Sequence, residues 1–254
     1  MPEQQQAGAQ DTFISHLIEL RNRLVKSAAA VLIVFGILFI IWPGPAAIYD
    51  FLARPMMASL PLGAKMIATG VITPFLVPMK VTLLAAFVVA LPWVLYQLWA
   101  FVAPGLYAHE KKLVAPLVIS SSVLFIAGVA FCYFLVFGKV FKFINDFAPK
   151  SITVAPDIEN YLDFVMTMCL AFGMTFEVPV VVVVLVRMGL VSVDKLKSIR
   201  PYVAVGVAVI AAIVTPPDAM SMLLLAAPMY LLYEIGLLVA PLFVKATQAP
   251  EEAA

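Results

Sequence analysis

Phe101-Val-Ala-Pro-Gly-Leu-Tyr-Ala-His-Glu-Lys-Lys112 is a short polar hinge between two long apolar runs, Met79–Val102 and Leu113–Phe137. A helix needs about 20 mostly apolar residues to cross the hydrocarbon of a bilayer, and both runs qualify. A hinge this short sends the chain back through the same bilayer, so the fold class is an all-α membrane protein. Composition agrees: 64% of residues are hydrophobic and 12% charged, with a mean hydropathy of +1.06. Soluble domains average roughly 45–50% apolar and about 25% charged, and a soluble fold of this size could not hide the difference. A formal net charge of +1 argues against a nucleic-acid binder.

Outward from the hinge, four more runs complete a set of six spans. Val25–Trp42 comes first and stops at Trp42 and Pro43-Gly-Pro45, interface and turn signals. Tyr161–Met188 is the fourth and contains Val180-Val-Val-Val-Val184. Tyr202–Val214 and Met220–Val239 follow, split by Thr215-Pro-Pro-Asp218, where the proline pair stops a helix. The fifth and sixth spans read as short. At 1.5 Å per residue the fifth is about 20 Å long against a core of about 30 Å, so it must thin the bilayer or lie beside protein. Residues Met1 to Gln10 lack the apolar core of a secretory signal, so the first span is expected to be retained. The expected organisation is a cytoplasmic amphipathic segment at 1–24, a six-span domain at 25–244 and a cytoplasmic tail at 245–254.

Lysine and arginine near span ends set orientation. The side shared by the termini carries ten, including Arg21, Arg23, Lys111, Lys112 and Arg200, against six on the other. Both termini are therefore expected in the cytoplasm, with Glu19 and Glu110 facing the same compartment. Two outer loops, Pro43–Pro78 and roughly 138–160, are long enough to fold as caps. In the first, Ile48, Phe51 and Leu52 recur at helical spacing, with Pro55 expected to end that turn. On the inner side Phe13, Leu17, Leu20 and Leu24 form one stripe, with Glu19, Arg21 and Arg23 off it, as in an interfacial amphipathic helix.

Candidate chemistry is sparse. Glu19 and Glu110 are two carboxylates available to a basic ligand, although Glu19 can pair with Arg23 four residues on, and Lys111 and Lys112 can balance Glu110. Glu177, deep in the fourth run, is a polar contact for another helix, the wall of a wet cavity, or a protonated packing residue. Gln97 and Tyr96 can bond across helices, and Glu234 sits where it can snorkel. Cys132 and Cys169 read as small buried hydrophobes. His16 and His109 lie outside the spans and lack haem or zinc-protease spacing, no phosphate loop is present, and Ser120-Ser-Ser122 has no base beside it. No metal, no cofactor and no enzymatic activity are expected.

Five blocks together resemble the TatC family, the multispanning subunit of the twin-arginine protein translocase. They are Phe13-Ile-Ser-His-Leu-Ile-Glu-Leu-Arg-Asn-Arg-Leu24, Leu95-Tyr-Gln-Leu-Trp-Ala-Phe-Val-Ala-Pro-Gly-Leu-Tyr-Ala-His-Glu110, Ala171-Phe-Gly-Met-Thr-Phe-Glu-Val-Pro179, Arg200-Pro-Tyr202 and Thr215-Pro-Pro-Asp218. They occur in family order, and six spans with cytoplasmic termini is the family architecture. The resemblance implies a signal-peptide receptor and assembly core in the bacterial inner membrane, exporting folded cargo on the proton motive force. It also implies a multimeric complex with TatA-like and TatB-like single-span subunits. By resemblance Glu19 and Glu110 receive the paired arginines of the signal, with Arg21 and Phe101 as neighbouring recognition positions. Pro55 matches a position in the outer cap needed for activity, Glu177 a buried polar position for partner helices or signal peptide, and Asp218 an outer-hairpin acid. Met222 departs from a glutamine expected in some relatives. The reading from another class is a secondary transporter or proton channel relaying through Glu177, although the two halves lack the internal repeat many transporters carry.

Overall fold

Residues 2–61, 63–106, 114–149, 155–215 and 218–244 are described by the computed structural model of the chain. His109, Glu110 and the tail 245–254 lie outside them. Helices α1 (Pro2–Ile40), α2 (Pro45–Ser59), α3 (Thr73–Leu106) and α4 (Val114–Phe131) lead through one π turn, Cys132–Val136, into α5 (Phe137–Phe147). Then come α6 (Ile158–Phe176), α7 (Val178–Arg187), α8 (Val193–Ser198), α9 (Arg200–Val214) and α10 (Ala219–Val244). Among the described residues the β contribution is one parallel bridge between Ile67 and Asp157. Among the described residues five segments are long and apolar enough to cross a membrane: Ile14–Ile40, Thr73–Val102, Val114–Phe147, Ile158–Arg187 and Ala219–Leu242. Arg200–Val214 is a shorter apolar helix.

Several sequence expectations change in detail. The amphipathic segment and the first span are one continuous helix, because nothing between Leu17 and Ile40 breaks the ladder. The third apolar helix does not stop at Phe137 but continues to Phe147, which shortens the second outer loop. The sixth apolar helix is not short. At 26 residues it is about 39 Å long, because Asp218 starts it and Pro228 and Pro241 are accommodated inside it. Only α9, with 15 residues and about 22 Å, is as short as expected.

The chain divides into two compact units, Met1–Gly44 with Thr82–Ser122, and Pro45–Val81 with Val123–Ala254. In the first unit Trp99 Nε1–H donates to Ser121 Oγ at 3.1 Å, a buried bond between α3 and α4 that gives the middle serine of Ser120-Ser-Ser122 a structural role. Helix α1 exposes Leu24, Leu32, Ile33 and Ile40, and no residue of its most apolar window is buried. Such a surface suits lipid tails rather than water.

The second unit has a dense core in which Phe137, Phe141, Phe172, Val165 and Met168 are all buried. Helices α4 and α6 cross closely at Gly128, where an added Cβ would lie 2.5 Å from the Phe172 carbonyl oxygen. Helix α7 ends on Gly189 at φ +70°. There Leu190 N–H bonds to Leu185 O (3.2 Å) and Gly189 N–H to Val186 O (3.0 Å), satisfying carbonyls that a helix end otherwise leaves open.

Pro55 does not end its turn. It lies inside α2, and the reason is visible around it. A proline at 55 removes the N–H that would bond the carbonyl four residues earlier, at Phe51. Tyr133 O–H donates to that Phe51 carbonyl at 2.6 Å, and Tyr161 O–H donates to the Leu52 carbonyl at 2.7 Å. The Phe51 and Tyr133 rings stack at 4.8 Å. Asn145 Nδ2 adds bonds to the backbone and hydroxyl oxygens of Ser59, both 3.0 Å, tying α5 to the end of α2. These bonds tie α2 to the π turn, to α5 and to the start of α6.

Candidate functional site: a guanidinium-binding face on α1

Glu19 and Arg23 are one turn apart on α1. Arg23 Nε–H and Nη2–H both donate to Glu19 Oε1, at 2.9 and 2.7 Å. From the same guanidinium Nη1–H donates to Gln97 Oε1 on α3 at 3.3 Å. Gln97 is only 4% exposed, so its amide is a fixed acceptor. Glu19 and Arg23 remain 37% and 24% exposed at their side chains. They open on a cleft of about 360 Å³ lined by Ser15, Ile18, Glu19, Asn22, Arg23 and Lys26. One turn earlier the His16 ring stacks on Phe101 at 4.3 Å and 20°. The Arg23–Gln97 bond and the His16–Phe101 stack connect α1 to α3 within the first unit. Chemically the face is an acceptor for a guanidinium: a carboxylate beside a neutral amide oxygen, with an aromatic floor nearby.

Of the four residues expected to form this site, the structure brings Glu19 and Phe101 onto the same α1–α3 face. Arg21 is exposed on α1, and Glu110 lies outside the described residues. Gln97, expected as a buried polar contact between helices, is buried and bonds across to Arg23 on α1. Glu177 is the joint between α6 and α7, partly buried, with Pro179 two residues on preventing a continuous ladder. Asp218 starts α10: its Oδ1 accepts Ser221 N–H at 2.7 Å. Pro55 sits in the tyrosine-bonded cap. Glu234, expected to snorkel, pairs with Arg200 at 2.6 Å, locking the start of α9 to α10.

Sequence reasoning missed two further structural groups. Asp157 caps α6 by accepting N–H bonds from Glu159 (3.0 Å) and Asn160 (3.1 Å). It also accepts from Thr69 N–H (3.1 Å) and Thr69 O–H (2.8 Å). The Thr69 hydroxyl, then the backbone N–H of Asn160, hold its carboxyl below the ordinary 3.8. An aspartate four residues ahead of an apolar run, with Glu159 in the first turn, is a helix-start signal that could have revealed it. Lys80, paired with Glu159 at 3.2 Å, joins α3 to the same corner. The tyrosines at 133 and 161 carry a weaker signal: hydroxyls inside apolar runs require acceptors, and a helical proline supplies one.

The family model described as Sec-independent protein translocase protein (TatC) matches residues 15–228. The chain belongs to the TatC family. It is 50% identical over 237 residues to the Sec-independent protein translocase protein TatC of Halothiobacillus neapolitanus, covering 93% of this chain and 64% of that relative. To the TatC of Azotobacter chroococcum it is 50% identical over 223 residues, 88% of this chain and 86% of the relative. A crystal structure described as the twin arginine translocase receptor TatC superposes with a TM-score of 0.77 at 37% identity, over 89% of this chain and 98% of that one. TatC membership and the apolar helices make this a multi-pass membrane protein of a protein-transport system. The matched span takes in Glu19, Pro55, Gln97, Phe101, Glu177 and Asp218.

Proposed function

We propose that this chain is the signal-peptide receptor and core subunit of a twin-arginine translocase, passing folded cargo across a bacterial inner membrane on the proton motive force. The observation that carries the proposal is the Glu19–Arg23 pair, because Glu19 already binds a guanidinium through two N–H bonds. A signal with two adjacent arginines offers two planar forks, and two carboxylates, Glu19 and Glu110, are the matching acceptors. A lysine ammonium is a compact point charge and cannot reproduce the fork. Arg21 and the Phe101 ring frame the site.

Six spans with both termini in the cytoplasm bring Glu19 and Glu110 to one face, and the excess of basic residues on that side supports this orientation. Glu177, at the break between α6 and α7, is the contact for the helices of TatA-like or TatB-like single-span partners. Pro55 and Asp218 act on the opposite face, in the cap and the outer hairpin. The short α9 supports local thinning of the bilayer. The protein works as a transport subunit, without a catalytic step of its own. Crosslinking of a twin-arginine signal peptide to the wild type, Glu19→Ala and Glu110→Ala tests the reading. Both variants should lose crosslinking, and a lysine-pair signal should bind the wild type poorly; unchanged crosslinking in both variants removes the assignment.

A further inference from the structure

The described lining of the α1 cleft holds one acid and two cations: Glu19 against Arg23 and Lys26. A doubly cationic ligand therefore meets local repulsion, and Glu19, one of the two carboxylates it seeks, already holds Arg23 on its Oε1. Arg23 spends Nε and Nη2 on Glu19 Oε1 while its third nitrogen holds Gln97. We propose that Arg23 is an internal stand-in for the ligand's guanidinium, keeping Glu19 occupied until an arginine of the signal displaces it. The proposal rests on the receptor reading above and adds a competitor to it.

The consequence is quantitative. A ligand that binds only when Arg23 has swung away has its affinity reduced by the fraction of molecules in that open state. The Glu19–Arg23 pair is partly exposed and lies at i,i+4, so it is a weak lock, suited to a reversible competitor. Displacement exchanges one guanidinium for another on the same oxygen, which leaves the chemistry of recognition unchanged. The penalty is common to every ligand that needs Glu19. Arg23 thus sets an affinity floor without altering preference, and ligands already weak fall below it.

The test uses the full chain in nanodiscs of phosphatidylethanolamine and phosphatidylglycerol, with two fluorescent signal peptides, one bearing an arginine pair and one a lysine pair. Arg23→Gln should tighten both by the same factor, roughly two- to fivefold. Arg23→Lys, which keeps the charge but loses the fork, should fall between the two. Glu19→Gln is measured alongside. If it abolishes binding and Arg23→Gln fails to tighten it, the competitor model is overturned and the receptor reading stands. If Glu19→Gln leaves binding intact, the receptor reading falls and takes the competitor with it. Independently of any variant, the Arg23 Nε–H resonance of the wild type should shift and exchange faster with water on adding the arginine-pair peptide. An unmoved resonance at saturating peptide contradicts displacement.

Discussion

On the α1 face, charged contacts are made by long side chains that stay partly open to water, and their partners are other side chains. Around Pro55 the contacts run instead from tyrosine hydroxyls to backbone carbonyls, and Tyr161 is only 5% exposed. The Glu19–Arg23 contact can be exchanged for a ligand at little cost, because both of its groups keep some access to solvent. The tyrosine contacts cannot, because Pro55 leaves the Phe51 carbonyl no N–H of its own helix to replace the Tyr133 hydroxyl, and the buried Tyr161 hydroxyl would lose its acceptor. The comparison separates a face built to let go from a cap built to hold.

The largest expected effect lies in the second unit. Gly128→Leu drives a side chain into the Phe172 backbone, which cannot move aside as a flexible side chain would. Overpacking of this kind costs about 3 kcal/mol or more, so the variant's melting point in detergent should drop sharply or the protein should fail to purify as a single species. A melt identical to the wild type would mean that the α4–α6 contact is looser than drawn.

Glu19→Ala should lower the affinity for a twin-arginine peptide about tenfold or more, the value of a hydrogen-bonded charge, and leave the melting point nearly unchanged. A large loss of stability would break the comparison, since it would make the exchangeable face a structural one. Tyr161→Phe should do the reverse, costing about 1 kcal/mol of stability with peptide affinity intact.

The smallest effect concerns Asp157. Its carboxyl titrates below 3.8 in the folded chain, so its contribution is fully present above that value and is lost as the pH falls through the depressed folded-state pKa. The melting point of the wild type should therefore decline more steeply below pH ~4 than that of Asp157→Asn, whose side chain does not titrate. Parallel curves for the two proteins would show that the cap owes nothing to this charge.

Much of the architecture was legible because a membrane helix writes itself as one long apolar run, and the i,i+4 pairing of Glu19 with Arg23 needs only local geometry. Ends were less legible. Pro55, Pro228 and Pro241 all sit inside helices; at Pro55 the hydroxyl that meets the freed carbonyl comes from Tyr133, 82 residues away, and no local rule sees that partner. Gln97 beside Arg23 and Asp157 beside Thr69 are separated by 74 and 88 residues, so their pairing belongs to the fold and not to any stretch of sequence. The Glu234–Arg200 pair was hidden for the same reason, since Arg200 reaches Glu234 only once α9 and α10 are packed.

The central claim is that Glu19 recognises a guanidinium by its fork rather than by its charge. The most direct measurement compares the affinity of an arginine-pair and a lysine-pair peptide for the wild type and for Glu19→Gln in nanodiscs. The account predicts a clear preference for arginine in the wild type that largely disappears in the variant. An equal preference in both proteins would contradict it.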